Sequence, residues 1–244
     1  MIIGLIPARY KSSRLPGKPL LKLGEYNMIQ RVYLQANKSE LIDKNYVLTD
    51  DERIVETIKA IGGNVLLIKD ECLNGTERIC IALKKYSELF QKAKWIVNIQ
   101  GDEPFINPNN IDTAIKKMNN DITCSTLHYK ITNFNDLNDK SIGKLVLNKK
   151  GHIIYCSRNC IPGTKNKIDK NFNYYAHIGL FVFNIDYLQN DYMKENTPLQ
   201  IMEDIEWLKI IEQDKTIVST LVEDYEIGIN TKKDYDYIRK KYNI

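Results

Sequence analysis

Residues 2–20 read Ile2-Ile3-Gly4-Leu5-Ile6-Pro7-Ala8-Arg9-Tyr10-Lys11-Ser12-Ser13-Arg14-Leu15-Pro16-Gly17-Lys18-Pro19-Leu20. The apolar run Ile2–Ile6 has the length and composition of a buried strand. It passes straight into a polar loop that carries Arg9, Lys11, Arg14 and Lys18, with two serines and Gly17 between them. Such a loop at a strand end suits a nucleoside triphosphate. Cations neutralise phosphate oxygens, while hydroxyls and backbone N–H groups line the polyphosphate path. Pro7, Pro16 and Pro19 restrict the loop and reduce the entropy lost when it closes over a ligand. The spacing is neither GxxxxGK[ST] nor GxGxxG.

Outward from this loop, β-rich runs alternate with helical patterns. A helix is expected from Met28 to about Lys38, and a strand at Tyr46–Leu48 leads through Thr49-Asp50-Asp51 into a helix ending near Ala60. A strand at Asn64–Ile68, a helix over Thr76–Leu89 and a strand at Trp95–Ile99 follow. This βαβα order predicts an α/β, Rossmann-like fold: a mostly parallel sheet with helices on both faces and ligands at the carboxyl ends of the strands. The second half is less regular. Strands are expected at Ile122–Tyr129, Lys144–Leu147, Ile153–Cys156, Ile178–Phe183 and Thr216–Leu221, an amphipathic helix at Leu199–Ile211 and a last helix at about Lys232–Lys241. With no internal repeat and no long linker, residues 1–244 are expected to form one unit with a mixed α/β insertion at about 129–215.

Composition narrows the function classes. The 244 residues carry 35 basic and 31 acidic side chains, a net charge of +4 too small and too dispersed for nucleic acid to be the main partner. No run of about 18 apolar residues exists, so insertion into a membrane is not expected. The apolar start lacks a charged n-region and does not read as a signal peptide. Cys72, Cys80, Cys124, Cys156 and Cys160 contain no CxxC pair, which suits free thiols in a cytoplasmic protein.

Two further segments fall at strand ends. In Asn74-Gly75-Thr76-Glu77-Arg78, Gly75 permits close backbone approach, the Thr76 hydroxyl is placed to cap the following helix, and Arg78 faces the ligand cleft from its first turn. In Gln100-Gly101-Asp102-Glu103-Pro104, Asp102 projects from the strand end, where one carboxylate suits Mg²⁺ held partly by substrate phosphates.

The string IPARYKSSRLPGKPL, followed in order by NGTER and VNIQGDEP, resembles the CMP-Kdo synthetase (3-deoxy-manno-octulosonate cytidylyltransferase) family. Weaker similarity runs to the C-terminus. The resemblance implies a nucleotidyltransferase fold and a reaction of CTP with an acidic 3-deoxy-2-ulosonic sugar, best matched by Kdo, giving the CMP-sugar and pyrophosphate with Mg²⁺ as cofactor. It implies that Arg9, Ser13, Arg14 and Lys18 bind the CTP phosphates and that Asn74, Thr76 and Arg78 recognise cytosine. Asp102 is then the metal ligand and Gln100 contacts the sugar and nucleotide. Arg9, Lys18 and Asp102 are the residues expected to act on the reacting phosphate. Arg158 is placed to hold the sugar carboxylate, with His177 and Glu206 as further sugar contacts. Glu203 and Glu206 are expected on one helix face after Pro198. A homodimer formed through the inserted segment is also implied, with Phe181–Phe183 buried there.

Three positions depart from that family's pattern. Asn230 stands in Gly228-Ile229-Asn230-Thr231 where the family has a metal-binding aspartate; it offers an amide oxygen without charge, and it also suits a helix N-cap. Leu180–Phe183 lacks the family's tyrosines, and Trp207 replaces a glutamine near the sugar. Two alternatives stay open at this point: activation of a different acidic sugar for a surface glycan, and a weakly active nucleotide-binding homologue.

Overall fold

The apolar runs at Ile2–Ile6, Tyr46–Leu48 and Trp95–Ile99 become strands, and the helices Met28–Ala36, Glu52–Lys59, Gly75–Lys85 and Pro108–Ile115 return their apolar stripes to the sheet. The computed structural model describes residues 1–12, 14–165 and 168–244. In chain order the elements are β1 (Ile2–Ala8), a short hairpin of β2 (Lys22–Leu23) and β3 (Tyr26–Asn27), α1 (Met28–Ala36), β4 (Lys44–Thr49), α2 (Glu52–Lys59) and β5 (Val65–Leu67). Then come α3 (Gly75–Lys85), α4 (Ser87–Phe90), β6 (Trp95–Ile99), α5 (Pro108–Ile115), β7 (Cys124–Lys130), β8 (Lys144–Leu147) and β9 (Ile153–Ser157). The chain closes with β10 (Tyr175–Asn184), α6 (Ile185–Asn190), α7 (Pro198–Glu203), α8 (Leu208–Glu212), β11 (Ile217–Leu221) and α9 (Lys232–Tyr242).

The main sheet runs β11-β7-β10-β6-β1-β4-β5, with β8 added to β10 and β9 to β8. Along that path only β10 is reversed: β1 pairs parallel with β4 and β6, β4 with β5, and β7 with β11, whereas β10 is antiparallel to both β6 and β7. The α/β reading with a mostly parallel sheet therefore holds. Period-two alternation sends Ile3, Leu5, Leu48, Ile96, Phe181 and Phe183 to one core and Ile6, Val47, Val97, Ile99 and Val182 to the other. The first core is covered by α3, α6 and α8 through Ile79, Leu83, Leu188 and Leu208, and the second by α1, α2 and α5 through Ile29, Val32, Ile58 and Ile111.

The reversed strand does more than extend the sheet. Its second half, Leu180–Asn184, pairs with β6, while Tyr175–Ile178 reaches past the carboxyl end of β6 to pair with β7, and Tyr175 and Ala176 also pair with β8. A bulge lies between Ile178 and Phe181: Ile178 pairs with Leu127 and Phe181 with Thr126, so Gly179 and Leu180 have no counterpart on β7. The β8–β9 hairpin thus hangs beside the strand ends where ligands are expected.

Two element boundaries differ from the pattern reading. The helix expected over Leu199–Ile211 is broken. α7 ends at Asp204, which adopts the left-handed conformation (φ 52°, ψ 47°), and α8 begins only at Leu208. Consequently Glu203 and Glu206 do not share a helix face. The helix expected over Thr76–Leu89 is likewise split at Tyr86, leaving α3 and α4.

Phe181, Phe183 and Trp207 are all buried within this chain's own core, at 2%, 1% and 2% exposure. The Phe-rich run therefore fills the space under α3 and α8 and is not the apolar face of an interface, contrary to the expectation above.

Candidate active site

The carboxyl ends of β1 and β6 define the floor. β1 ends at Ala8 and β6 at Ile99, and their parallel register, with Leu5 opposite Asn98, brings both segments out of the same edge of the sheet. The approach is close: a Cβ on Gly101 would lie 2.6 Å from the Pro7 carbonyl oxygen, and one on Gly75 would lie 3.3 Å from the Pro7 ring. Glycine at these positions lets three chain segments meet with no side chain between them. Above them opens a cavity of about 630 Å³, large enough for a nucleotide and lined by residues from both halves of the chain.

Its charge is mixed but predominantly positive. Arg9, Arg14, Lys18, Arg78 and Arg158 contribute five cations, against the carboxylates of Asp102, Asp204 and Glu206. Lys18 Nζ donates to Asp102 Oδ2 at 2.8 Å and to Asn230 Oδ1 at 3.3 Å, and the Arg14 guanidinium donates to the same Asn230 oxygen at 3.5 Å. The segment carrying Asn230 is fixed by Ile229 N–H, which donates to the Asp102 carbonyl at 2.8 Å. Asn230 does not cap the last helix. Thr231 takes that role, in a capping box with Asp234, so the Asn230 side chain remains turned into the cavity.

Asn74, the first residue of the second motif, is the N-cap of α3, its side chain accepting from Glu77 N–H at 2.8 Å. This corrects the expectation that Thr76 caps the helix. Asn74 and Arg78 line the cavity. Arg78 is 5% exposed and donates to the Ile68 carbonyl at 2.8 Å and to Asp50 Oδ2 at 3.1 Å. Thr76 lies beneath the cavity, bonded to Asn98 and Glu206.

Arg158 and Glu206 reach the cavity from the second half. The Arg158 guanidinium donates to the carbonyls of Ser141 (2.9 Å), Asp204 (2.8 Å), Glu203 (3.2 Å) and Lys140 (3.4 Å), tying the loop before β8 to the end of α7. Glu203 points away from the cavity and accepts from Tyr155 Oη, Ser157 Oγ and the Arg158 N–H. The Lys144 ammonium, wholly buried, donates to the carbonyls of Asp139, Ile142 and Arg158.

His177 is not brought to the cavity. Its ring sits against Phe181 and Trp207, and burial holds its imidazole down to about 4. Phe181, Phe183 and Trp207 do not line the cavity either. Ser13 lies outside the described residues. Residues that local pattern reading passed over include Cys72, Asn196, Gln200 and Ile201, all on the cavity wall. The last three flank or belong to α7, which is tied to β9 through Glu203, bonded to Tyr155 and Ser157.

A mostly parallel α/β sheet whose strand ends deliver a cationic phosphate loop and one carboxylate to a shared cavity defines a nucleotidyltransferase. The chain belongs to the cytidylyltransferase family, whose model matches residues 3–221. Within it the chain groups with the 3-deoxy-manno-octulosonate cytidylyltransferases. It is 37% identical to the enzyme of that name from Protochlamydia amoebophila over 96% of this chain and 91% of that one, and 37% identical to the mitochondrial enzyme of Arabidopsis thaliana over 97% and 81%. A solved structure of CMP:2-keto-3-deoxy-manno-octonic acid synthetase in complex with CTP superposes with a TM-score of 0.91 at 30% identity, covering 99% of this chain and 98% of that one. 4-Diphosphocytidyl-2C-methyl-D-erythritol synthase from Anaerococcus prevotii shares the fold at 13% identity and a TM-score of 0.65.

Proposed function

We propose that the chain transfers CMP from CTP to the anomeric hydroxyl of 3-deoxy-manno-octulosonate (Kdo), releasing pyrophosphate. The observation that carries this reading is the convergence of Arg9, Arg14, Lys18 and Asp102 on one cavity that Arg158 and Glu206 enter from the opposite side. The near-full-length similarity to 3-deoxy-manno-octulosonate cytidylyltransferases supports the choice of substrates.

Arg9, Arg14 and Lys18 neutralise the triphosphate, and Lys18 balances charge that develops as pyrophosphate departs. Asn74 and Arg78 border the space for the base. Gln100 and Arg158 orient the sugar acid so that its hydroxyl lies in line with the leaving group, which supplies much of the acceleration by positioning alone. The reaction needs no covalent enzyme intermediate: Cys80, Cys124 and Cys156 are buried thiols, and burial pushes up the thiol of Cys72 on the cavity wall.

Mg²⁺ is the proposed cofactor. Asp102 Oδ2 and Asn230 Oδ1 converge on one point, held by the Lys18 ammonium at 2.8 and 3.3 Å. Among the described residues no group of three or more His, Cys, Asp or Glu gathers. One carboxylate, one amide oxygen and nucleotide phosphates fit an ion that keeps several waters. When bound, the ion neutralises phosphate charge.

A homodimer is proposed as well, supported by the exposed Ile154 of β9 (55% exposed), a strand that among the described residues pairs with β8 alone. No helix among the described residues is long and apolar enough to cross a membrane. The five free thiols support a cytoplasmic setting. Pyrophosphate release with CTP, Mg²⁺ and Kdo, each omitted in turn, tests the reaction. Release without the sugar acid, or none with all three present, overturns it.

A further inference from the structure

Asn98, Thr76 and Glu206 come from β6, α3 and the α7–α8 link, yet form one hydrogen-bonded line. Asn98 Nδ2 donates to Thr76 Oγ1 at 3.0 Å, and Thr76 Oγ1 donates to Glu206 Oε1 at 3.0 Å. The line crosses the core layer that otherwise holds Cys80, Phe181 and Trp207. Asn98 and Thr76 are 0% and 1% exposed. Polar groups in such a layer are retained at a desolvation cost, which asks for a reason.

Proton counting gives one. A threonine hydroxyl has a single hydrogen. Because the Asn98 amide donates into this hydroxyl, its own hydrogen goes to Glu206 and none is left for another acceptor. Glu206 Oε1 is thereby occupied, while Oε2 is buried and has no hydrogen-bond partner among the described residues, in a residue that borders the cavity. A buried carboxyl oxygen left in this state calls for a donor, and a ligand in the adjoining cavity can supply one. Burial raises the Glu206 carboxyl above the ordinary range.

We propose that Thr76 and Asn98 are positioning residues for Glu206: they hold one carboxyl oxygen so that the other receives a hydroxyl of the sugar acid, and Thr76 does not read the cytosine. This rests on the sugar acid being the second substrate, as proposed above. It assigns Thr76 to the opposite substrate from the one that its motif suggests.

Steady-state kinetics on Thr76→Val and Thr76→Ser, with CTP affinity measured by calorimetry, tests the assignment. Thr76→Val keeps the shape and removes the hydroxyl. It is expected to raise KM for Kdo about tenfold, with KM and Kd for CTP within about twofold of wild type. Thr76→Ser restores the hydroxyl and is expected to recover the wild-type KM for Kdo within about twofold. Equal weakening of CTP and Kdo in Thr76→Val returns the residue to the base site and overturns the proposal. So does an unchanged KM for Kdo, or a serine variant no better than valine. If Thr76→Val fails to fold, Glu206→Gln supplies the second measurement: a Kdo-selective loss supports the proposal and an equal loss for both substrates overturns it. A wild type that forms no CMP-sugar from Kdo refutes the functional reading, and this assignment with it. An active wild type matched by Thr76→Val refutes the assignment alone.

Discussion

The Lys18 ammonium lies 2.8 Å from Asp102 Oδ2, joining the loop after β1 to the end of β6 across 84 residues of sequence. The two side chains are 16% and 23% exposed, so solvent screens the pair only in part. An incoming triphosphate offers Lys18 a second anion, and the lysine can then share its charge between carboxylate and phosphate. The same pair therefore closes the cavity floor before substrate arrives and is available to the nucleotide afterwards.

Asp102→Asn keeps the side-chain volume and removes the charge. Pyrophosphate release in the presence of CTP, Mg²⁺ and Kdo is expected to fall by about 10²–10³-fold, and EDTA should abolish the wild-type rate. Wild-type turnover in Asp102→Asn, read in the same assay, contradicts the role given to this carboxylate.

Asn230 presents an uncharged oxygen to Lys18 and Arg14. Asn230→Asp places a second carboxylate beside Asp102. Mg²⁺ binding measured calorimetrically without nucleotide is expected to tighten about tenfold, because hard cations favour anionic oxygen. Unchanged Mg²⁺ affinity means that Asn230 lies outside the ion's coordination.

Arg158 spends its guanidinium on four backbone carbonyls from two segments. A lysine ammonium cannot reproduce that fork. Arg158→Lys should cost about 1–2 kcal/mol and lower Tm by about 3–6 °C. It should also raise KM for Kdo at least about tenfold, with KM for CTP nearly unchanged. Calorimetry and kinetics on the same preparation check both halves of this expectation; an unchanged Tm removes the clamp, and an unchanged KM removes the sugar contact.

How much of this was legible beforehand depended on the distance over which each feature is decided. The loop from Arg9 to Lys18 was legible because strand, cations and prolines lie in one short stretch. The floor at Gln100–Asp102 was legible for the same reason. The direction of β10 was not, since an apolar run has no preferred sense until β6 and β7 fix one. The break at Asp204 was also hidden: apolar residues on both sides keep helical spacing, and aspartate tolerates the left-handed region well enough to be placed there by packing. Thr76 was expected as the helix cap that Asn74 provides, and its bond to Glu206 was hidden because the two stand 130 residues apart. His177 was singled out by the resemblance, whereas its ring packs against Phe181 of its own strand and Trp207 from beyond α7.

His128 provides a pH dependence remote from the cavity. It is 4% exposed, its Nδ1 lies 2.7 Å from Ser219 Oγ, and burial holds its imidazole down to about 4. In the unfolded chain it titrates near 6.5. Between these values the unfolded state binds a proton that the folded state does not, so this group lowers stability as pH falls from about 6.5 towards 4. The slope reaches at most about 1.4 kcal/mol per pH unit. His128→Gln should flatten that part of the profile in denaturant titrations at several pH values. Parallel profiles for variant and wild type contradict the assignment.

The bulge in β10 has a consequence for how this protein can change length. Gly179 and Leu180 are two residues without counterparts on β7, and two is the side-chain period of a strand. Phe181 and Phe183 therefore keep their core face although the strand has slipped against its neighbour. Both flanks keep their places on β7, Ile178 opposite Leu127 and Phe181 opposite Thr126, so two residues are absorbed here without turning a core side chain outward. The bulge lets β10 carry two more residues than β7 between its overhang and its core half, with the alternation of faces intact on either side.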